Sequence, residues 1–168
     1  MQTLYSAAQA LYSAAQALEF DRPVRLLALV SLELDAKRRD IIAQQIAQVL
    51  DIPQVRCDVV EMPNTMALRA AVSLGHRLGD YDAYVVFDNH TDGAGWDQAL
   101  SLFAAQGMCI QLCHGTMAPE HFAEHLDTQV NAALHLVALT RKWSAQQGSA
   151  GFRAPSQRYN LATGGTTV

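Results

Sequence analysis

The sequence predicts an α/β fold of three layers, αβα, around a parallel sheet of about four strands. Three observations carry that expectation. Apolar runs of strand length, such as VRLLALVSL and DYDAYVVFD, read as strands buried on both faces. Segments with apolar residues at helical spacing separate them. The connections are short, and strand and helix alternate four times, so right-handed crossovers make the strands parallel with helices on both sides.

Taken in order, residues 4–10 and 11–17 are the same heptad, LYSAAQA, in tandem, and Leu4, Leu11 and Leu18 fall seven apart. Its alanines favour helix, so residues 1–20 read as a helical heptad duplication, too short for a stable coiled coil by itself. Residues 21–146 form the α/β domain. Its first strand follows Pro23, and a helix over 35–50 sets Ile41, Ile42, Ile46, Val49 and Leu50 opposite Lys37, Arg38 and Arg39. Asp51 and Pro53 end that helix. A second strand spans 56–62, and Pro63 with Asn64 opens a helix expected to bury Met66, Ala70, Leu74 and Leu78 and to be capped by Gly79. The third strand ends at Asp88, before the stretch NHTDGAGWDQ. The next helix holds Leu100, Leu102 and Phe103 and is closed by Gly107, and MCIQLCH supplies a fourth strand. A long helix then runs from near Pro119 to about Trp143 through Leu126, Val130, Leu134 and Val137. Residues 147–168 are rich in Gly, Ser and Thr and are expected to be a mobile tail unless a partner subunit holds them. The layout is flavodoxin-like.

Composition narrows the function classes. With 168 residues, 50% of them hydrophobic, the chain can bury a sizeable single core. Its net charge of −4 comes without a basic run, so nucleic acid and anionic membranes are not expected partners. No apolar stretch reaches the ~20 residues of a membrane span, nor does the start carry a positive flank, so the expected location is cytoplasmic. Cys57, Cys109 and Cys113 are an odd number, two of them inside strand-like runs, and imply neither a disulfide framework nor a structural zinc site.

In a doubly wound sheet the loops after the strands open on one edge, and ligands bind there. Polar residues crowd that edge. Ser31 and Glu33 follow the first strand, Asn64 and Thr65 the second, Asp88, Asn89, His90, Thr91 and Asp92 the third, and His114 and Thr116 the fourth, while His121 and His125 share one face of the last helix. His90 or His114 could serve as a general acid or base. Asp88, His90, His114, His121 and His125 could instead approach a divalent metal, although their spacing matches no metal motif. The plain reading of each is a helix cap or a surface group. The turn DGAG leaves backbone N–H groups of Gly93 and Gly95 accessible at a helix start, as in phosphate-binding turns, but lacks a P-loop lysine. Beside it, Trp96 is placed either to stack on a flat heterocycle or to fill a core or interface.

Over roughly residues 24–143 the order RLLALVSL, DVVEMPNTMALRAA, GDYDAYVVFD and GTMAPEHFAEHLDTQVNAALHLVAL resembles the lumazine synthases, including the threonine and asparagine at Thr116 and Asn131. The resemblance implies condensation of 5-amino-6-ribitylamino-pyrimidinedione with 3,4-dihydroxy-2-butanone 4-phosphate in riboflavin biosynthesis, without a cofactor or metal. It also implies a homopentamer or higher assembly with sites between neighbours.

The letters that carry the family's chemistry agree less well. LEL with Glu33 stands where an aromatic residue stacks on the pyrimidine, and PNTMA keeps only the proline of the loop P-G-A-aromatic-E. Gly93, Gly95 and Asp97 fall on the loop that holds phosphate and the catalytic histidine. His125 stands for a phosphate-binding arginine, and Gln129 for a lysine. The resemblance therefore leaves His90 and Asp97 as candidate proton carriers. Glu33, Asn64, Thr65, Asp88, Gly93, Gly95, Trp96, His114 and His125 remain as candidate substrate-binding residues. The competing expectations are a weakened synthase, a non-catalytic oligomeric shell or flavin-like ligand binder, and an unrelated monomeric module.

Overall fold

The computed structural model describes residues 18–89 and 93–149. Strands β1 (Val24–Ser31), β2 (Val55–Met62), β3 (Ala83–Asp88) and β4 (Ile110–His114) alternate with helices α1 (Ala36–Leu50), α2 (Thr65–Leu78), α3 (Gly93–Ala105) and α4 (Pro119–Ser149). The sheet has four strands, all parallel, in the order β2-β1-β3-β4. This is the expected flavodoxin-like αβα architecture. Of the expected helical segment 1–20, residues 1–17, which hold both heptads, lie outside the described residues, and residues 18–20 are not helical; the tail beyond Ser149 lies outside the described residues too.

The chain divides into two compact units, Met1–Val137 and Ala138–Val168. The second contains, among the described residues, the last turns of α4, where Leu139 and Trp143 are exposed. That helix outruns its expected end near Trp143, because Ser144, Ala145, Gln146 and Gln147 contain no breaker and include good helix formers.

Within the first unit, the alternation of side chains along each strand sends Leu27, Leu29, Tyr84, Val86, Ile110 and Leu112 to one face. There they form a core with Leu68 and Val72 of α2 and Trp96 and Phe103 of α3. On the opposite face Val30 meets Ile42 and Ile46 of α1. Helix α4 buries Phe122, Leu126, Val130 and Leu134. Gln45 of α1 is buried too, and its amide donates to Asp127 of α4 at 3.0 Å, so the two helices on this face share one polar bond.

Local signals at the helix ends act as expected. Asp35 caps α1 by accepting from the Arg38 N–H, and Asn64 caps α2 by accepting from the Ala67 N–H. Gly107 follows α3 at φ 74°, a left-handed conformation that a residue without Cβ adopts freely, and the Met108 N–H folds back onto the Phe103 carbonyl.

The rotation of α2 differs from expectation. Its buried stripe is Thr65, Leu68 and Val72, whereas Met66, Leu74 and Leu78 are 71%, 52% and 78% exposed. MALRAAVSL is apolar almost all round, so two stripes compete at helical spacing. What decides between them is polar: the Thr65 hydroxyl donates to the buried Asp88 carboxylate at 2.9 Å, which turns Leu68 and Val72 toward the sheet.

Leu68→Ala should therefore cost about 2–5 kcal/mol of stability. Met66→Ala should stay within about 0.5 kcal/mol in the same urea titration, run at a concentration where the chain is monomeric. Equal costs at the two positions would contradict the observed rotation.

Candidate functional site

The register of the ladders brings the four strand ends to one edge. Ser31 pairs with Met62, Asp88 pairs with His114, and Asp88 stands one residue beyond the Val30–Phe87 pair. The helices α1, α2, α3 and α4 all begin just beyond this edge. The sheet order reverses between β1 and β3, the place where doubly wound sheets open a crevice.

Asp88 is the hub of that edge. Its side chain is 1% exposed, and one carboxylate oxygen, Oδ2, accepts from Thr65 Oγ1 at 2.9 Å and from Trp96 Nε1 at 2.7 Å. The other, Oδ1, accepts from the Asn89 N–H at 2.8 Å. A carboxylate removed from water needs such donors, and here they come from the first turns of α2 and α3 and from the strand's own exit. One side chain therefore sets where two helices begin.

Trp96 is also 1% exposed. The indole is packed into the core and its N–H is bonded to Asp88. The Arg69 guanidinium lies 5.7 Å from the ring centroid, and Arg69 Nη1 donates to the Gly95 carbonyl at 3.4 Å. A Cβ on Gly95 would stand 2.9 Å from Arg69 Nη2, so the missing side chain is what admits the guanidinium.

On the β4 side, Gly115 donates its N–H to the Asp88 carbonyl at 2.7 Å. A Cβ there would collide with the Leu34 side chain and stand 3.2 Å from that carbonyl, so the loops after β1, β3 and β4 meet at a position only glycine fits. His114 and His125 are half-buried. Burial holds the His125 pKa below its ordinary 6.5, and the charge His114 can carry pushes it the same way. Its Nε2 is buried without a hydrogen-bond partner.

The other candidates are more dispersed. Glu33 is exposed and donates its backbone N–H to Ser31 Oγ, Asn64 is spent as the α2 cap, and Asp97 is an exposed residue of α3 whose carbonyl accepts from Ser101. Gly93 is the first residue of α3. His90, Thr91 and Asp92 lie outside the described residues. The structure thus joins Thr65, Asp88 and Trp96 by hydrogen bonds and couples His114 with His125, while Glu33 and Asp97 bond to neither group among the described residues. No cluster of three or more metal-ligating side chains occurs among the described residues, nor is any described helix long and apolar enough to cross a membrane. Cys109 and Cys113 are buried as small core residues, and burial drives the Cys113 thiol pKa far up. Arg69 and Gly115 were not legible as site residues.

No family model matches the chain. A 6,7-dimethyl-8-ribityllumazine synthase of Jannaschia sp. (strain CCS1) is 29% identical to it over 166 residues, covering 86% of this chain and 90% of that protein. The similarity extends along most of both chains and supports the resemblance drawn from the residues.

Asp88→Ala should leave the Trp96 N–H and the Thr65 hydroxyl without an acceptor, at a cost of about 1–3 kcal/mol for each group. Thr65→Val should cost less, because Trp96 and Asn89 still serve the carboxylate. Chemical unfolding of the two variants measures the order, and a larger loss in Thr65→Val would contradict the hub role.

The depressed pKa of His125 fixes a sign for pH dependence. Above 6.5 the residue is neutral in both folded and unfolded chains and contributes nothing; as pH falls through 6.5 the unfolded chain takes up the proton first, so stability declines. His125→Gln should flatten that part of the stability–pH curve between pH 7 and 5. An unchanged slope would show that other groups cause it.

Proposed function

We propose that this chain is a divergent transferase of the lumazine synthase type, condensing 5-amino-6-ribitylamino-pyrimidinedione with 3,4-dihydroxy-2-butanone 4-phosphate at a reduced rate. The observation that carries this reading is the 29% identity to a lumazine synthase along most of both chains, on a fold whose four strand ends open at one edge.

Joining an amine to a ketone forms a carbon–nitrogen bond with loss of water. Positioning and proton transfer supply most of what such a step needs, and no covalent intermediate with the protein is required. In this reading His90 and Asp97 are the proton carriers. Glu33, Asn64 and Thr65 border the pyrimidine side, and Gly93, Gly95, His114 and His125 the phosphate side. Asp88 and Trp96 complete the set of substrate-binding residues between the two, where their hydrogen bond also holds the starts of α2 and α3. The chemistry calls for no cofactor.

Self-assembly into a pentamer or a multiple of it belongs to the same proposal, with the cytoplasm as its location. Met66, Leu74 and Leu78 on α2 and Leu102 on α3 support it as exposed large apolar side chains that a second copy would cover.

A second reading, a non-catalytic shell or flavin-like ligand binder on the same fold, is favoured by one observation. Glu33 stands exposed in the stretch where the resemblance calls for a stacking aromatic.

Turnover of the two substrates by the purified chain, with the native particle mass measured alongside, separates the readings. The expected result is an oligomer with slow product formation, and His90→Ala should lower the rate by about two to four powers of ten without changing the mass. An oligomer that binds a ribityl-pyrimidine but forms no product would establish the second reading. A monomer would defeat both.

A further inference from the structure

We propose that the cleft between α1 and α4 is a further binding site of this chain, and that it takes a free alkylammonium, one primary ammonium on a short apolar stem. The proposal does not depend on the function given above.

Position 45 is where packing and sequence part. It lies on the buried stripe of α1, three residues after Ile42 and four before Val49, where helical spacing calls for an apolar side chain. Gln45 occupies it and is only 8% exposed. An amide carries two N–H donors and a carbonyl with two lone pairs. Among the described residues this side chain makes one hydrogen bond, from Nε2 to Asp127 Oδ1 at 3.0 Å. Asp127 is half-buried on α4 and forms no ion pair among the described residues. A carboxylate and an amide carbonyl, both with acceptor capacity left over, are costly to withdraw from water unless donors reach them.

Gln45 and Asp127 line a cleft of about 180 Å³ whose other polar groups are two uncharged amides, Gln48 and Asn131. Val49, Ile52 and Val130 form its apolar wall. Volume sets the size of the occupant: drug-sized ligands fill pockets of ~300–1,000 Å³, so this cleft takes a smaller molecule. Charge sets its sign, because the lining holds one carboxylate and no cation. The spare acceptors set its head group, since a primary ammonium has three donors and no acceptor and meets carboxylate and amide oxygens together. Water satisfies the acceptors but not the charge. The apolar wall sets the stem, and a dication would leave its second charge unpaired against that wall.

The cleft is removed from the strand-end edge. Gln45 stands nine residues into α1 from Ala36 and Asp127 eight residues into α4 from Pro119, which at ~1.5 Å per residue is ~12–14 Å along each helix. An occupant there bridges α1 and α4 and leaves that edge open.

The test is saturation-transfer NMR of n-butylammonium chloride with the full chain, at neutral pH and constant ionic strength, which reads binding whatever the size of the assembly. A saturable response is expected, with a Kd of about 1–10 mM. n-Butanol, which lacks the charge, and tetramethylammonium, which lacks the N–H donors, should each bind about 10-fold more weakly or worse. Asp127→Asn keeps the shape of the cleft and should weaken n-butylammonium at least about 10-fold while leaving n-butanol unchanged. Gln48 is exposed at the cleft, so Gln48→Lys tethers an ammonium there and should displace the ligand, whereas Gln48→Met, of similar length without charge, should retain it. If Asp127→Asn does not fold, the contrast between the two Gln48 variants decides. No saturable response from the parent chain, equal affinity for n-butanol, or unaltered n-butylammonium affinity in folded Asp127→Asn or in Gln48→Lys would overturn the proposal.

Discussion

A carboxylate buried to 1% exposure, Asp88, anchors the working edge of this fold. Unmatched, such a group would cost several kcal/mol. Its oxygens accept from Thr65, Trp96 and Asn89, and these donors lie on α2, on α3 and in the exit from β3. The constraint runs in both directions. The helices supply the donors that let the carboxylate stay buried, and the carboxylate fixes how those helices are rotated on the sheet. The burial of Leu68 and Val72, the inward position of Trp96 and the approach of Arg69 to Gly95 follow from that one arrangement.

Much of the architecture was legible because it rests on burial alone. A strand covered on both faces has to be largely apolar, and VRLLALVS and AYVVFD are, apart from Arg25, Ser31 and Asp88 near their ends, with β1 and β3 as the two central strands. The helix start at Asn64 was legible too, since a short polar side chain before an apolar periodic run has a local task. The rotation of α2 was not. Hydrophobic periodicity chooses a face only when one face is polar, and here Met66, Leu74 and Leu78 compete with Leu68 and Val72. The deciding bond, Thr65 to Asp88, spans 23 residues of sequence and leaves no periodic trace.

The candidate site divides along the same line. Residues named because they follow strands do gather at one edge, as the topology requires, but their individual tasks depend on contacts that no spacing encodes. Asp88 and Trp96 are buried and bonded to each other, a contact that their spacing in the sequence does not encode. The approach of Arg69 to Gly95 has no counterpart in the sequence pattern of α2, which also carries His76 and Arg77. The position of Arg69 is set by a glycine 26 residues away and by an indole whose orientation is itself determined by Asp88.

This division bears on what a similarity of 29% can carry. The segments that carry the resemblance, the strand runs, the proline after β2 and the long last helix, are those that build the sheet and its cover. They keep a chain on this fold whether or not it retains a chemistry, since function resides in the site and not in the scaffold. At the edge, burial and the nearby His114 lower the pKa of His125 on α4, so an imidazole there is a weaker partner for an anion than an arginine would be. The Asp88 network, by contrast, fixes the starts of α2 and α3 independently of any group on α4.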